Sequence, residues 1–385
     1  MERARDSQDH KALDQEACYR AALTRDARFD GRFFGGVTST GIYCRPVCPA
    51  RTPKRENMIF YPTAAAAEEA GFRACLRCRP ETAPDFAGWR GGEQRGGAWR
   101  GTSNTVSRAL SLIEAGALDE GDVDALGGRL GVGERQLRRL FRQHLGAAPV
   151  SVAQTRRVLL AKQLIHETDL SMAEVALASG FGSVRRFNET FQSLYGRPPS
   201  ALRRHKEKTG AGGVRLGLSY REPYDRMAML DALTVRGDAV EGGQWSRVLT
   251  TETDGSDGRV LVGFAKAGRV EVTVEASDIR ILPGVLARVR RVFDLSADPE
   301  AIAGDLSVDP GLRPLVEARP GLRLPGSWVD EGDAAPSDRL PDDFDASALA
   351  RAEHWRPWRA YGALQLRIAG MAAQDLERSD DRRAA

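Results

Sequence analysis

Four cysteines in two tight pairs constrain this chain more than any other feature of its sequence. Cys44 pairs with Cys48 and Cys75 pairs with Cys78, and the stretch between them can loop out and return. Two such pairs brought together form a tetrahedral set of thiolates, which is the arrangement that Zn²⁺ prefers in proteins. Disulfides are the alternative in an oxidising compartment, but the chain starts without the apolar core of a signal peptide. We therefore predict one zinc ion held by these four cysteines in a reducing cytoplasm.

The distribution of charge along the chain is uneven. The formal net charge of the 385 residues is only +3. Residues 15–81 carry eleven Lys and Arg against seven Asp and Glu, and residues 105–205 carry fourteen against ten. Residues 206–385 carry 25 against 30. Basic surfaces attract phosphates, so the first half is the expected nucleic-acid-binding part. No apolar stretch reaches the length of a membrane-spanning helix, and a membrane partner is not expected.

Hydrophobic periodicity predicts a multidomain α+β protein. Residues 10–82 form the small zinc-binding α/β domain, and the Gly-rich residues 83–104 indicate a flexible linker. Helical spacing recurs through residues 105–207 and predicts an all-α domain with two helix-turn-helix units. Shorter, alternating segments in residues 213–293 predict a small antiparallel-sheet α+β domain. Residues 294–385 are polar and partly helical, with a last helix over roughly 346–370 and a tail.

The second helix of each predicted helix-turn-helix unit combines an apolar stripe with basic and polar positions. A recognition helix in the major groove needs this mixture, because cations hold phosphates while amide and guanidinium groups read base edges. The stripes are predicted to be core, and they comprise Leu137, Leu140, Phe141, Phe187, Phe191 and Leu194. The candidate DNA contacts are Arg135, Gln136, Arg138, Arg139 and Arg142 in the first unit, and Ser183, Arg185, Arg186 and Asn188 in the second.

The residues that flank the cysteines indicate a protein family more specifically than the spacing of the cysteines does. RDARFDGRFFGGVTSTGIYCRPVCPARTPKREN, followed by AGFRACLRCRP, closely resembles the amino-terminal domain of the Ada family of DNA alkylation-response proteins. The resemblance implies that all four cysteines ligate zinc and that Cys44 is a nucleophile. It would accept a methyl group from a methylphosphotriester in the DNA backbone, once and irreversibly. Zinc keeps such a sulfur as thiolate at neutral pH, and the displacement needs no general base.

The same resemblance implies contacts with the DNA backbone and a switch. Family positions that touch the backbone map onto Thr40, Arg51 and Arg73, whose hydroxyl and guanidinium groups suit phosphate oxygens. A further basic family position falls on Pro49, which cannot make an ionic contact. Methylation of Cys44 would change the charge of the zinc site from −2 to −1 and so weaken its repulsion of phosphates. We predict that the methylated protein binds DNA more tightly.

Two further resemblances extend over the rest of the chain. VALASGFGSVRRFNETFQSLYGRPPSALRR is similar to the signature of the AraC family of transcription regulators, which implies a DNA-binding activator acting with RNA polymerase. Residues 214–292 resemble the domain that opens the AlkA-type alkylbase DNA glycosylases. In that family a helical domain with a helix-hairpin-helix follows, but only a polar stretch separates Trp328 from Arg351 here. Residues 294–385 are therefore interpreted as a truncated remnant, with Asp338 the nominal counterpart of the family's catalytic Asp.

The resulting hypothesis is a zinc-containing alkylation-response protein. It would transfer a methyl group from DNA methylphosphotriesters to Cys44 and then activate transcription of repair genes. One alternative is a sequence-specific transcription regulator whose zinc is purely structural. The other is a 3-methyladenine DNA glycosylase, for which the missing hairpin leaves neither DNA positioning nor a pocket for a flipped base, so that no base release is expected.

Overall fold

The structure is a computed structural model that describes residues 13–84, 102–203, 213–250, 257–329, 338–340 and 346–370. Most of the linker predicted at 83–104 lies outside the described residues, and so does most of the polar stretch between Trp328 and Arg351. Within the described ranges, no helix is both long enough and apolar enough to cross a membrane.

Residues 13–84, called here the amino-terminal module, fold around a small mixed sheet. Asp14 caps the first helix, and Thr63 caps the second through its hydroxyl group. Strands β1 and β3 pair antiparallel, whereas β2 and β4 run parallel, in the order β3-β1-β2-β4. The elements are α1 (Gln15–Thr24), β1 (Phe34–Val37), β2 (Ile42–Cys44), β3 (Met58–Tyr61), α2 (Ala64–Glu69) and β4 (Arg73–Ala74).

Residues 102–203, called here the helical module, contain six helices. They are α3 (Thr102–Glu114), α4 (Val123–Leu130), α5 (Glu134–Leu145), α6 (Pro149–Glu167), α7 (Met172–Ala178) and α8 (Val184–Tyr195). Helices α4 and α5 form one helix-turn-helix, and α7 and α8 form the other. Gly131 ends α4 with φ +70°, a left-handed conformation that glycine adopts without strain. The six residues of the predicted apolar stripes are buried or half-buried in the core, as expected.

The two helix-turn-helix units are fastened to each other through α6. Asp119, before α4, accepts hydrogen bonds from Arg156 and from Arg157, the latter at 2.8 Å between Nε and Oδ1. Gly180, after α7, approaches the same carboxylate so closely that a Cβ atom there would collide with it. The segments before α4 and after α7 thus meet at the Asp119 carboxylate, beside α6.

Residues 213–250 and 257–293, called here the sheet module, form a five-stranded antiparallel sheet in the order β5-β9-β8-β7-β6. Trp245 and Phe293 pack edge to face in its core, with ring centroids 5.6 Å apart. The elements are β5 (Val214–Ser219), α9 (Arg226–Val235), β6 (Ala239–Glu241), β7 (Gln244–Thr250), β8 (Asp257–Lys266), β9 (Arg269–Glu275) and α10 (Leu282–Val292).

Four short helices beyond residue 293 form a core of their own. They are α11 (Pro299–Leu306), α12 (Arg313–Ala318), α13 (Ala346–Ala352) and α14 (Arg359–Ile368). Trp355 is buried among them and donates its Nε1–H to Asp309 at 2.7 Å. The continuous helix predicted over roughly 346–370 is wrong in one respect, since it is interrupted at Pro357. A proline there removes the amide and disfavours a helical residue before it.

Helix α6 lies at the junction of the three modules and is buried along most of its length. Its Lys162 forms an ion pair with Glu81 of the amino-terminal module, and both side chains are almost fully buried. Glu167, at the end of α6, accepts from Arg79 of the amino-terminal module at 2.9 Å. It also accepts from Arg269 of the sheet module at 2.7 Å. The three modules are thus joined by buried polar contacts as well as apolar packing.

Candidate metal centre and nucleic-acid surface

The parallel pair β2–β4 brings the four cysteines together. Cys44 ends β2 and Cys75 directly follows β4, with the Cys75 amide donating to the Tyr43 carbonyl at 3.0 Å. Cys48 and Cys78 each follow within a short turn. The four Sγ atoms lie within 4.8 Å of one another. Cys75 and Cys78 are buried, while Cys44 and Cys48 are half-buried.

The donor set fits a single zinc ion. Four sulfur atoms at this spacing match the tetrahedral ligand shell of a closed zinc site. Backbone amides also point at the sulfurs, from Arg45 to Cys78 Sγ at 3.4 Å and from Arg77 to Cys75 Sγ at 3.3 Å. Hydrogen bonding to Cys48, the crowding of the other sulfurs and burial raise the pKa of Cys44 well above its usual range. The cluster therefore needs a bound cation to hold four thiolates, and one Zn²⁺ per chain is the cofactor.

The residues expected to touch the DNA backbone fall into two places. Thr40 is exposed in the turn between β1 and β2. The Arg73 amide donates to the Gly41 carbonyl at 2.8 Å. Thr40 and Arg73 therefore lie at the same end of the β2–β4 pair. The cysteines lie at the other end of the same strands. Arg51 is exposed in the segment after Cys48. The guanidinium of Arg73 is not fully exposed, since it lies over the Tyr195 ring at 5.9 Å.

The candidate DNA contacts of the helical module lie on the outer faces of α5 and α8. All nine are exposed except Gln136, which is half-buried. Some already have partners on the same helix: Arg138 pairs with Glu134 and Arg185 with Glu189. Arg142 reaches the amino-terminal module, where its Nη1 lies 3.5 Å from Glu69 Oε2. Ser183 caps α8, with its Oγ accepting from the Arg186 amide at 3.2 Å.

Asp338 occupies an ion-pair network rather than an open pocket. Its carboxylate accepts from Arg356 and from Arg359 Nε, the latter at 2.8 Å. Arg359 also donates to the Asp338 carbonyl at 3.0 Å. Two guanidinium groups thus neutralise this carboxylate and tie residue 338 to the last helices.

Two residues near the metal centre have roles that no motif indicates. Arg45 follows Cys44 directly, and its guanidinium is turned inward to Asp30, Thr82 and the Cys78 carbonyl. Lys162 lies in the apolar run VLLAKQLI, and a cation between apolar neighbours on every face of a helix is a signal for a buried pair. Nothing in the sequence identifies its partner, Glu81, which is 81 residues away.

Comparison with known proteins identifies the three modules. Residues 17–81 match the family described as the metal binding domain of Ada, residues 126–205 a helix-turn-helix domain, and residues 215–329 the AlkA N-terminal domain. The three matches follow one another along the chain in that order. This confirms the resemblance to Ada-type alkylation-response proteins joined to an AlkA-type region, as well as the multidomain α+β class.

Curated relatives match different shares of the chain. The "Probable bifunctional transcriptional activator/DNA repair enzyme AlkA" of Mycobacterium tuberculosis is 40% identical over 333 residues, which cover 84% of this chain. The matched part is 64% of that relative's length, so the chain spans less than two thirds of it. The "Bifunctional transcriptional activator/DNA repair enzyme Ada" of Escherichia coli is 31% identical over 169 residues, which are 44% of this chain and 43% of the relative.

A solved structure matches part of this chain. It is the DNA methyl phosphotriester repair domain of Escherichia coli Ada, with 39% sequence identity and a TM-score of 0.17. The match covers 24% of this chain and 99% of that one.

Proposed function

We propose that this chain is a single-turnover DNA methylphosphotriester–protein cysteine methyltransferase that then activates transcription of repair genes. The observation that carries the proposal is the position of Cys44. It is one of four clustered cysteines, it is half-buried rather than buried, and it ends the strand whose other end presents Thr40. We infer that its sulfur is ionised when the metal is bound and can be reached by a substrate held by phosphate contacts.

The proposed methyl transfer needs no acid or base from the surrounding side chains. Bound Zn²⁺ keeps the four sulfurs as thiolates. The Cys44 sulfur donates an electron pair to the methyl carbon of the triester, and an S–C bond forms as the C–O bond breaks. The electrons of that bond remain on the phosphate oxygen, which leaves as an ordinary phosphodiester anion. No proton moves, so no general base is needed. The thioether product stays on Cys44, which limits each chain to one transfer.

Thr40, Arg51 and Arg73 are proposed to hold the phosphates that flank the methylated one. Arg73 lies in contact with Tyr195, so engaging DNA would require its guanidinium to leave that ring. The transfer removes one negative charge from the metal centre, which would strengthen the attraction of the amino-terminal module for every phosphate near it.

The helical module is proposed to read the operator with α5 and α8. Arg135, Gln136, Arg138, Arg139 and Arg142 would serve the first recognition helix, and Ser183, Arg185, Arg186 and Asn188 the second. Double-stranded DNA in the cytoplasm is then the main partner, and RNA polymerase is the partner of the activating step. The domain bounds of the hypothesis, 10–82, 105–207, 213–293 and 294–385, are proposed as well.

Base release is not proposed for the AlkA-type region. The carboxylate of Asp338, the nominal counterpart of a catalytic Asp, is held by two arginines in the described structure. A carboxylate committed in this way cannot approach a cationic sugar without losing both ion pairs. Residues 294–385 are accordingly interpreted as a remnant that has a structural role.

The experiment that tests the proposal is the intact mass of the zinc-loaded chain before and after incubation with methylated DNA. One added methyl group that maps to Cys44 is the expected result. Cys44→Ser should add none, while the control Cys18→Ser, which changes a buried cysteine outside the cluster, should still add one. An unchanged mass in the folded, zinc-loaded protein would support the rival, a transcription regulator with a purely structural zinc.

A further inference from the structure

The side chain of Arg45 lies between the metal centre and the rest of the molecule. Its amide points at Cys78 Sγ, and its Nη1 donates to the Cys78 carbonyl at 3.2 Å and to Thr82 Oγ1 at 2.6 Å. Its Nε donates to Asp30 Oδ1 at 2.8 Å, and its Nη2 forms a close ion pair with the other oxygen. Arg45 therefore connects the turn after Cys44 with the turn that holds Cys78.

Asp30 in turn is held by the sheet module. The Asp30 carbonyl accepts from Arg221 Nη2 at 3.2 Å, and Arg221 Nη1 donates to the Ser296 carbonyl at 3.4 Å. Arg221 is only 7% exposed. Its own carbonyl accepts from the buried Arg323 at 2.5 Å, which fixes the backbone from which its side chain projects.

A second contact clamps the same segment. Arg32, two residues after Asp30, donates to both oxygens of Asp298 at 2.9 and 3.0 Å. A bidentate pair of this kind fixes orientation as well as distance. The loop that carries Asp30 is thus held at two points by residues from beyond the helical module.

We propose that Arg45 is a positioning residue for the cysteine cluster, and that the AlkA-type region holds it in place through Arg221. This inference rests on the proposed function, because it gives the AlkA-type region a part in methyl acceptance. The physical reason is that hydrogen-bond partners outside a metal's ligand shell orient the ligands and set how firmly the metal is held. Without Arg221, the Asp30 loop keeps only the Arg32–Asp298 contact, so Asp30 is held less firmly as the anion that turns Arg45 toward Cys78.

The test compares Arg221→Met with Arg215→Met in the full zinc-loaded chain. Arg215 is the matched control, because it lies on strand β5 of the same module but is exposed and forms a surface ion pair with Glu271. Zinc release to a colorimetric chelator should be about tenfold faster in Arg221→Met, the scale typical of lost outer-shell contacts. It should be unchanged in Arg215→Met. Equal release from the two folded variants would overturn the proposal.

Two further measurements separate positioning from general instability. With Co²⁺ in place of Zn²⁺, the cobalt–thiolate absorption bands should shift in Arg221→Met and not in Arg215→Met, since they report ligand geometry. Folding of the whole chain is followed by circular dichroism and by the fluorescence of its six tryptophans. Should Arg221→Met not fold, Arg221→Lys serves instead. Its donors all lie on one nitrogen atom, so it does not reproduce the two contacts that Arg221 makes from Nη1 and Nη2, and release at the wild-type rate would overturn the proposal.

The metal readouts also distinguish this inference from the proposed function. They involve no DNA. A wild-type chain that accepts no methyl group, together with rapid zinc release from Arg221→Met, would remove the methyltransferase and leave the positioning role. Normal methyl transfer by the wild type, together with unchanged zinc release and unchanged cobalt bands in Arg221→Met, would remove the positioning role and leave the methyltransferase.

Discussion

The ion pair between Lys162 and Glu81 should be one of the strongest determinants of stability in this chain. The Nζ–Oε2 distance is 2.8 Å, and the two side chains are 0% and 1% exposed. Removing one partner of a buried pair typically costs about 3–5 kcal/mol, because the other charge is left without compensation. Glu81 keeps a contact with Arg79 at 3.1 Å, so we expect the lower end, about 3 kcal/mol, for Lys162→Met.

The free energy of unfolding lost in Lys162→Met should depend on pH. Burial acts to raise the pKa of Glu81, but Lys162 and Arg79 outweigh it and hold the pKa below its usual value of 4.5. A carboxyl with a depressed folded-state pKa contributes stability above its ordinary pKa and loses it as the pH falls. The loss in Lys162→Met should therefore be largest at neutral pH and shrink in acid. Burial raises the pKa of Glu68, so this carboxyl by itself disfavours folding as the pH rises. Lys162 partly opposes that rise, and its removal should therefore add to the loss of stability at neutral pH.

The assay is urea unfolding of the zinc-loaded protein, followed by circular dichroism of the helices. Lys162→Met combined with Glu81→Gln removes both charges and should recover about half of the lost free energy, because no uncompensated ion stays buried. The control Arg185→Met breaks an exposed pair on α8 and should cost less than about 0.5 kcal/mol. A loss below about 1 kcal/mol for Lys162→Met, or a double variant as unstable as the sum of the single ones, would refute the reasoning.

Three further predictions concern other parts of the chain. Methylation of Cys44 should steepen the salt dependence of DNA binding by about 0.9 in log–log slope for each additional phosphate that the protein neutralises, and equal slopes for the two forms would contradict the switch. Asp338→Asn should leave base release from alkylated DNA at zero, as in the wild type, while lowering the melting temperature; measurable release that disappears in this variant would restore the glycosylase hypothesis. Burial raises the pKa of Asp294 from 3.8 to about 6, so the free energy of unfolding should fall as the pH rises through that interval. Asp294→Asn should remove that dependence.

The sequence was most informative where a short segment determines its own structure. The cysteine pairs predicted the metal centre, because two close pairs have few ways to meet other than around one ion. The apolar stripes through Leu137 and Phe187 predicted which faces of α5 and α8 are buried, because helical periodicity is local.

Contacts between modules could not be predicted in the same way. Helix α6 is buried on nearly all sides, so its periodicity does not distinguish a face for Lys162. Asp30 and Arg221 are 191 residues apart, and no spacing rule relates two such positions. The helices beyond residue 293 pack around Trp355 and Tyr361, whereas their polar connecting sequence suggested little more than a remnant and a tail.

The rigid connection between the two helix-turn-helix units has a consequence for the DNA that the chain would read. Helix α6 has 19 residues and, at about 1.5 Å per residue, is about 28 Å long. Asp119 is paired with Arg156 and Arg157 of this helix, and Gly180, after α7, lies close to the same carboxylate, so contacts at this point oppose a turn of one unit relative to the other. One base pair inserted between two contacted segments would move the second by about 3.4 Å and rotate it around the duplex. Operators should therefore vary more freely in their bases than in the spacing between their two halves.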